Sequence, residues 1–209
     1  MQQSPRTQTN GLAVEGDVLT NIENVIGTGF NDYLRGNADA DEMTGGDGND
    51  YIASFEGNDL LIGGIGNDRL FGGVGEDSLR GGDGDDLLVG GSELFDESES
   101  DVFNGGAGAD TFELYADRGS DVIEDFALGV DTLRIGWQIA GNGGRLSGDE
   151  PASAAEYLSG ATVVDGNLVI CSGATLPHSF TFDHPGYANT LTLLGVTDVV
   201  ALANDIELF

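Results

Sequence analysis

Aspartate recurs at a fixed spacing through the first half of this chain. Successive members of the series are nine residues apart, except for one gap of fifteen. The series comprises Asp32, Asp41, Asp50, Asp59, Asp68, Asp77, Asp86, Asp101 and Asp110. Two places after each aspartate stands a large apolar residue, and this phasing argues against a merely solvated acidic surface. Carboxylates without His or Cys among them are the donors that a hard cation prefers, so the pattern predicts cation binding.

Glycine accompanies each aspartate in a nine-residue unit, in which the aspartate is the sixth residue. Five units match G-G-x-G-x-D-x-U-x in full, where U is large and apolar; they begin at Gly45, Gly63, Gly72, Gly81 and Gly105. The first two units have Phe30 and Asp39 in place of the fourth-position glycine, as expected of end units that cap an array. The eighth unit carries a six-residue insertion within residues 92–100, and the array runs over residues 27–113.

These units cannot be helical, because one apolar residue in nine leaves no amphipathic face and glycine disfavours helix. We expect instead a three-residue strand, x-U-x, followed by a six-residue turn. Two units then make one coil of an all-β solenoid, in which two parallel sheets face each other across the eighth-position side chains. The aspartates form two ladders. The first ladder holds Asp32, Asp50, Asp68, Asp86 and Asp110, and the second holds Asp41, Asp59, Asp77 and Asp101.

Adjacent aspartates of one ladder would lie about 4.8 Å apart, the spacing of neighbouring strands. At an effective dielectric constant near 20 they would repel by roughly 3 kcal/mol, and a divalent cation between them reverses the sign. Oxygen ligands in flexible geometry favour calcium over magnesium, and zinc prefers His and Cys. The ladders predict seven inter-turn sites, and about five to eight Ca²⁺ ions. Backbone carbonyls are expected to contribute near Gly45, Gly48, Asn49, Gly63, Gly66, Asn67, Gly72, Gly75, Glu76, Gly81, Gly84, Asp85, Gly105 and Gly108.

The overall composition supports a cation as the partner. The chain has 209 residues and a formal net charge of −30, with 37 acidic residues against 7 basic ones, all arginine. Such a surface repels nucleic acid and anionic membranes. No apolar run is long enough to span a bilayer, and the single cysteine, Cys171, excludes an internal disulfide. The first residues lack the features of a cleavable export signal, so export would use another route.

The units resemble the nonapeptide repeats of RTX (repeats-in-toxin) proteins, and the resemblance implies a calcium-bound, right-handed parallel β-roll. The resemblance covers about residues 18–209. The entry segment "LTNIENVIGTGFNDYLRG", the segment "GGAGADTFEL…GSDVIEDFALGVDTLRI" over residues 105–135, and "GNLVI", "NTLTLLGV" and "NDIELF" near the C-terminus are similar to the corresponding parts of serralysin-type proteases and other type I secreted exoproteins. We therefore expect an N-terminal flank (1–17), an RTX β-roll (18–113) and a β-rich C-terminal cap (114–209) ending in a short helix around residues 197–204.

The resemblance implies export from a Gram-negative cell by the type I machinery, through an uncleaved C-terminal signal. Only Leu208 and Phe209 follow Glu207, where the family usually has about three apolar residues. Because extracellular calcium sites bind at about 10⁻⁴–10⁻³ M, the chain would stay expanded in the cytosol and fold outside. It would then stabilise or carry an exported protein, such as an enzyme domain absent from this chain.

No catalytic residues are predicted. The chain lacks the H-E-x-x-H zinc motif of the serralysin protease domain, and Ser172 and Ser179 form no nucleophile elbow. We interpret His178 and His184 as structural or surface residues and Cys171 as a small core residue. Two alternative functions remain: a polysaccharide-binding module resembling the rolls of alginate epimerases, for which Trp137 and Tyr157 could serve as a sugar platform, and a small stand-alone adhesin or matrix protein.

Overall fold

The fold is taken from a computed structural model that describes residues 7–9, 24–91, 99–115, 120–136, 161–171 and 190–208. The strands are β1 (Thr7–Thr9), β2 (Asn24–Ile26), β3 (Tyr33–Arg35), β4 (Glu42–Asp47), β5 (Tyr51–Glu56), β6 (Leu60–Ile65), β7 (Arg69–Val74), β8 (Ser78–Asp83), β9 (Leu87–Val89), β10 (Val102–Ala107), β11 (Thr111–Tyr115), β12 (Ser120–Ile123), β13 (Thr132–Gly136), β14 (Thr162–Val164), β15 (Asn167–Cys171), β16 (Thr190–Leu193) and β17 (Ile206–Leu208). One short helix in the described ranges, α1, spans Val199–Leu202, within the predicted stretch.

Alternate strands stack into two sheets. Sheet 1 has the order β1-β2-β4-β6-β8-β10-β12-β16-β15-β14, and sheet 2 has the order β17-β13-β11-β9-β7-β5-β3. Within the repeats the strands run parallel and pair at an offset of two units, as when Leu61 faces Leu79. The pairing of Leu79 with Phe103 absorbs the six-residue insertion without breaking the stack. The all-β, parallel β-roll prediction is confirmed.

The core is a single seam of eighth-position side chains between the sheets. All of them are buried: Val25, Leu34, Met43, Ile52, Leu61, Leu70, Leu79, Leu88, Phe103 and Phe112, followed by Ile123 and Leu133. Successive residues of a strand point to opposite faces, so only the central residue of x-U-x can enter the seam. A core with one apolar side chain for every nine ordered residues is thin, and other interactions must stabilise the coils.

The three-residue strand prediction was too short. Strands β4 to β8 and β10 each contain six residues. The backbone pairing between neighbouring strands resumes at the second glycine of the unit, as in the pairing of Gly64 with Gly82. Gly64 has φ of +123°, a conformation that L side chains rarely adopt. The glycine pair therefore belongs to the strand, and the turn shrinks to the fourth to sixth positions of the unit.

The parallel stack continues beyond the nine units. β12 pairs with β10 and then with β16, while β13 pairs with β11 and then with β17. β14 and β15 form an antiparallel hairpin on sheet 1, with Asp165 and Gly166 at positive φ in its turn. Asp198 caps the N-terminus of α1 by accepting from the amides of Val200 and Ala201. The division of the chain at residue 113 stays a prediction.

Several sequence predictions lie outside the described residues. They concern His178, His184, Ser172, Ser179, Trp137 and Tyr157, most of the insertion (residues 92–98), and the side chain of Cys171. Within the described part of the chain, no helix has the length and apolar character needed to cross a membrane.

Candidate metal sites

The two predicted aspartate ladders exist as hydrogen-bonded columns. The backbone amide of each aspartate donates to Oδ1 of the aspartate in the next coil, as Asp50 does to Asp68 at 2.7 Å. The same bond recurs at 2.7–3.0 Å along both ladders. One oxygen of each receiving carboxylate thus links two coils, and the other oxygen is left for a different partner.

The second oxygen has no hydrogen-bond partner in the middle of the roll. The buried Oδ2 atoms without a partner belong to Asp50, Asp59, Asp68, Asp77 and Asp86. These residues are 1–3 % exposed. A buried, unpaired carboxylate oxygen costs several kcal/mol unless a cation or a donor compensates it. The five atoms are therefore the strongest candidates for cation ligands in the described coils.

Each unpaired oxygen of a full unit lies over the first glycine of its own unit. A Cβ added at Gly72 would collide with Asp77 Oδ2 and would lie 2.6 Å from the carbonyl oxygen of Gly90 in the next coil. We call this arrangement of a first-position glycine, a carboxylate oxygen without a hydrogen-bond partner, and a facing carbonyl a cradle. Four complete cradles are found in the described coils, at Gly45 with Asp50, Gly63 with Asp68, Gly72 with Asp77, and Gly81 with Asp86.

The donors of a cradle suit calcium. They are all oxygens, one of them charged, and calcium accepts carboxylate and carbonyl oxygens in flexible geometry. In the described residues, no point brings together three or more His, Cys, Asp or Glu side chains. The fit thus rests on one buried carboxylate and backbone carbonyls for each cradle. The carbonyl of Gly90 at the Asp77 cradle was not among the predicted ligands, although Gly90 begins the eighth unit.

The end units satisfy their aspartates without a cation. In the first unit the amide of Thr28 donates to Asp32 Oδ2 at 2.6 Å, and in the second the amide of Asn37 donates to Asp41 Oδ2 at 2.9 Å. The full units have glycine at positive φ in that second position, and no such bond forms there. Asp32 and Asp41 therefore belong to the ladders, but their Oδ2 atoms are already occupied.

The Asp59 unit differs from the four complete cradles, because Ser54 replaces the first glycine. The Ser54 hydroxyl donates to the carbonyl oxygen of Gly72 at 2.6 Å, and Asp59 Oδ2 has no hydrogen-bond partner. Burial raises the pKa of Asp59, while the Asp41 amide and the nearby Ser54 hydroxyl lower it. The Ser54 side chain fills the space that glycine leaves open elsewhere and occupies the carbonyl that would face a cation. We expect this position to bind a cation weakly or not at all.

Replacing Ser54 by glycine should open a fifth cradle. The expected result for Ser54→Gly is one additional bound calcium ion, because Asp59 Oδ2 and Gly72 O would both become free to bind it. Isothermal titration calorimetry with calcium measures the number of ions. Ser120→Gly makes the same chemical change at an exposed position of β12, beyond the nine units and away from any cradle, and should leave the ion number unchanged. An unchanged ion number in Ser54→Gly would contradict the role given to Ser54.

Burial raises the pKa of the ladder carboxylates. The pKa is about 6 for Asp68, Asp86 and Asp110, and about 8 for Asp77. Desolvation is the largest cause in each case, the incoming amide hydrogen bond lowers the pKa, and neighbouring carboxylates raise it further. For Asp77 those neighbours are Asp101, Asp59 and Glu99. Without a cation, the folded roll thus favours protonation of these groups.

Two ladder members after the nine units were missed from the sequence. Asp101 donates its amide to Asp121 Oδ1, and Asp110 donates its amide to Asp131 Oδ1, each at 3.0 Å. Asp131 Oδ2 accepts from the amide of Ala127 at 2.7 Å, as in the first two units. The signal was present, since "DVIE" and "DTLR" repeat the D-x-U-x half of the unit without its glycines.

A third polar column runs along the fifth position of the units and was also missed. The side-chain oxygen of Asn49 accepts from the amide of Asn67, and the oxygen of Asn67 accepts from the amide of Asp85, at 2.9 and 3.1 Å. These bonds are exposed and run in the opposite sense to those of the aspartate ladders. They tie the turns together and fix the outer edge of the roll.

Comparison with protein families agrees with this geometry. A model described as the RTX calcium-binding nonapeptide repeat (4 copies) matches residues 26–61, 62–93 and 94–123. This part of the chain belongs to the RTX calcium-binding nonapeptide repeats. The RTX repeat is a non-catalytic calcium-binding module, so calcium binding by this stretch is established at the level of the family. The ligand residues within each RTX unit stay a prediction.

Solved structures similar to this chain include an extracellular lipase and a subunit of an epimerase. The extracellular lipase LipA from Serratia marcescens has 17 % identity, with 91 % of this chain and 41 % of the lipase covered and a TM-score of 0.36. The AlgE6R3 subunit of the Azotobacter vinelandii mannuronan C5-epimerase has 23 % identity, with 95 % and 86 % covered and a TM-score of 0.31. The chain thus spans about two fifths of the lipase. None of the curated proteins compared with it matches.

Proposed function

We propose that this chain is a folding module that binds calcium after export and stabilises the secreted protein to which it belongs. The observation that carries the proposal is the set of five buried carboxylate oxygens without a partner in the described coils. Calcium would supply their missing partner and join successive coils through the carboxylate of one and the carbonyl of the next. Because no such site exists in the unfolded chain, the binding free energy becomes folding free energy.

The four complete cradles set the number of ions that we propose. Asp50, Asp68, Asp77 and Asp86 would each hold one calcium ion, with the facing carbonyls of Gly63, Gly81, Gly90 and Gly105 as further ligands. Asp32 and Asp41 would hold none, since amides already occupy their Oδ2 atoms. Four ions is fewer than the five to eight expected from the repeat count, because the end units and Ser54 close part of the ladders.

The number of bound calcium ions distinguishes the aspartates of a cradle from those whose Oδ2 already accepts a hydrogen bond. Asp68→Asn should lose one bound calcium ion, since the amide oxygen still accepts from Asp50 but the NH₂ group replaces Oδ2. Asp32→Asn makes the same charge change in a unit without a cradle and should lose none, because its amide oxygen can still accept from Thr28. Native mass spectrometry with calcium counts the ions in both variants. Equal losses, or none, would overturn the assignment of the sites.

We further propose that the chain is exported by the type I route and reaches an extracellular space rich in calcium. The RTX family and the similarity of the C-terminal segment to type I secreted exoproteins support this proposal. An unfolded, strongly acidic chain can thread through a channel, whereas a folded roll cannot. Export of a passenger fused ahead of this chain, in cells with a type I exporter, tests the idea. Export that survives deletion of residues 190–209 would contradict the C-terminal signal.

A second candidate function, polysaccharide binding, is favoured by the outer face of sheet 2. Tyr33 and Tyr51 stack with ring centroids 4.7 Å apart, and Phe71 lies 5.1 Å from Tyr51. Arg35 lies 4.7 Å from the ring of Phe55. No acidic residue occupies an outward position of x-U-x on β3, β5 or β7, although the chain carries a charge of −30. Aromatic and arginine side chains together suit an anionic sugar polymer.

Retention on an immobilised polyuronate distinguishes this candidate from a purely structural roll. Calcium-loaded protein should be retained, and Tyr51→Ala should weaken the retention several-fold while the ion number stays the same. Thr111→Ala changes another outward position of sheet 2 and serves as the control. Failure of the calcium-loaded protein to bind would exclude this function and leave the folding module intact.

A further inference from the structure

The insertion in the eighth unit brings a glutamate to the second ladder. Asp77 and Asp101 are adjacent in this ladder although 24 residues separate them, and the amide of Asp77 donates to Asp101 Oδ1 at 2.9 Å. Glu99 ends the insertion two residues before Asp101 and is only 9 % exposed. A buried glutamate beside a column of buried aspartates is unfavourable unless something compensates its charge.

Glu99 replaces a carbonyl that the regular coils provide. In the uninterrupted coils the fourth-position amide donates to a third-position carbonyl of the next coil, as Gly66 does to Asp83 at 2.7 Å. The amides of Gly48, Gly57 and Gly84 make the same bond at 2.7–2.8 Å. At Gly75 the amide donates instead to Glu99 Oε2, also at 2.7 Å. A charged carboxylate therefore stands where the other units place a neutral carbonyl oxygen.

This substitution occurs beside a cradle that already has an unpaired oxygen. Asp77 is 2 % exposed, its Oδ2 has no partner, and this oxygen and Gly90 O both face Gly72. Glu99 Oε2 accepts from the amide of Gly75, two residues before Asp77, and the Glu99 charge adds, after Asp101 and Asp59, to raising the pKa of Asp77. The amide of Gly75 uses one oxygen of Glu99, and one hydrogen bond does not balance two adjacent buried carboxylates. A divalent cation shared by both side chains does.

We propose that Glu99 is a second carboxylate ligand of the Asp77 calcium site and makes it the tightest site of the roll. The inference rests on the proposed calcium module and adds a residue outside the repeat pattern. The affinity of oxygen-ligand calcium sites rises with the number of charged ligands. In the units of Asp50, Asp68 and Asp86 the fourth-position amide meets a neutral carbonyl oxygen in place of Glu99, so their sites would have one charged ligand fewer and would fill later. In the described coils, the Asp77 site is also the one complete cradle of the second ladder. A calcium ion there would stabilise the edge of the roll along which that ladder runs.

The test is a calcium titration of the full chain and its Glu99→Gln variant by isothermal titration calorimetry. Glutamine keeps an oxygen for the Gly75 amide and removes only the charge. The tightest class of sites should weaken by about 10- to 100-fold, with the other sites unchanged. Glu42→Gln removes the same charge at an exposed position of β4 and should weaken the calcium affinity of this class by less than threefold. A structural role for Glu99 alone would leave the calcium affinity of Glu99→Gln unchanged, which overturns the proposal.

A double variant separates a shared site from general charge effects. Asp77→Asn should remove the tightest class, and adding Glu99→Gln to it should cause no further loss, because both residues would serve one ion. Additive losses, or equal weakening by Glu42→Gln, would contradict the shared site. If the unaltered chain binds no calcium at all, the calcium module itself fails. Normal binding by the unaltered chain with no effect of Glu99→Gln overturns only the role of Glu99.

Discussion

Removal of calcium at pH 7.5 is expected to unfold the roll. In excess chelator the β-sheet circular dichroism should be lost, and the radius of gyration should rise towards the roughly 49 Å of an unfolded chain of this length. A compact chain of the same length has a radius of about 17 Å, and an elongated roll somewhat more. Circular dichroism and small-angle X-ray scattering, recorded while calcium is added back, should report one cooperative recovery.

The physical reason is the balance between a thin core and a dense column of charge. The seam holds one buried apolar side chain per unit, while the middle aspartates are buried with an unpaired oxygen each. Adjacent charges of a ladder repel by roughly 3 kcal/mol at an effective dielectric constant near 20. Calcium removes both penalties at once by pairing the oxygens and neutralising the column.

Magnesium provides the matched control for calcium. It has the same charge but demands near-octahedral geometry at short distances and keeps its waters, so the same concentration should not restore the fold. A native-like spectrum in excess chelator would show that the coils are stable alone. Equal recovery with magnesium would show that the carboxylates need only charge screening, and either outcome would contradict calcium-specific cradles.

Acidification of the calcium-free chain is expected to promote folding, the reverse of ordinary acid denaturation. Burial raises the pKa of Asp77 to about 8 and of Asp68, Asp86 and Asp110 to about 6, from 3.8 in the unfolded chain. Between pH 8 and pH 4 the folded state therefore binds more protons than the unfolded state, and the free energy of unfolding increases as pH falls. The gain is complete below pH 4 and lost as pH rises through 6 and 8.

Calcium should reverse the sign of this pH dependence. Protons compete with the ion for the same carboxylate oxygens, so the calcium affinity should fall as pH drops from 8 to 4. Circular dichroism of the calcium-free chain at several pH values, beside calorimetric calcium titrations at the same values, gives both trends. Asp77→Asn has no carboxylate to titrate at that position, and its calcium-free form should depend less on pH between 6 and 8. A calcium-free chain that loses structure on acidification would contradict the prediction.

Much of the architecture could be predicted because it follows from the nine-residue period of the sequence. Asp68 and Leu70 are two residues apart, and the same spacing recurs in every unit. It places the aspartate at the edge of the roll and the apolar side chain in the seam between the sheets. The 18-residue coil follows from the same period, and the insertion before Asp101 leaves the pairing of Leu79 with Phe103 intact. The glycine pair was wrongly predicted to lie in the turn. With positive φ, a residue such as Gly64 still pairs with the neighbouring strand, although glycine in a sequence usually indicates the end of a strand.

The sequence by itself determined the nine-residue unit, the seam of apolar residues, the two aspartate ladders and the preference for a hard cation. Only the tertiary structure decided which carboxylate oxygens are free to bind one. Asp32 and Asp68 occupy the same position of the repeat, yet Oδ2 of Asp32 accepts from the Thr28 amide, whereas Oδ2 of Asp68 has no hydrogen-bond partner. Likewise, Glu99 reaches Gly75 across 24 residues, which no local pattern reports. The reason is physical: residue types set what a group can bind, whereas the backbone of the neighbouring coil sets which of its atoms is already bound.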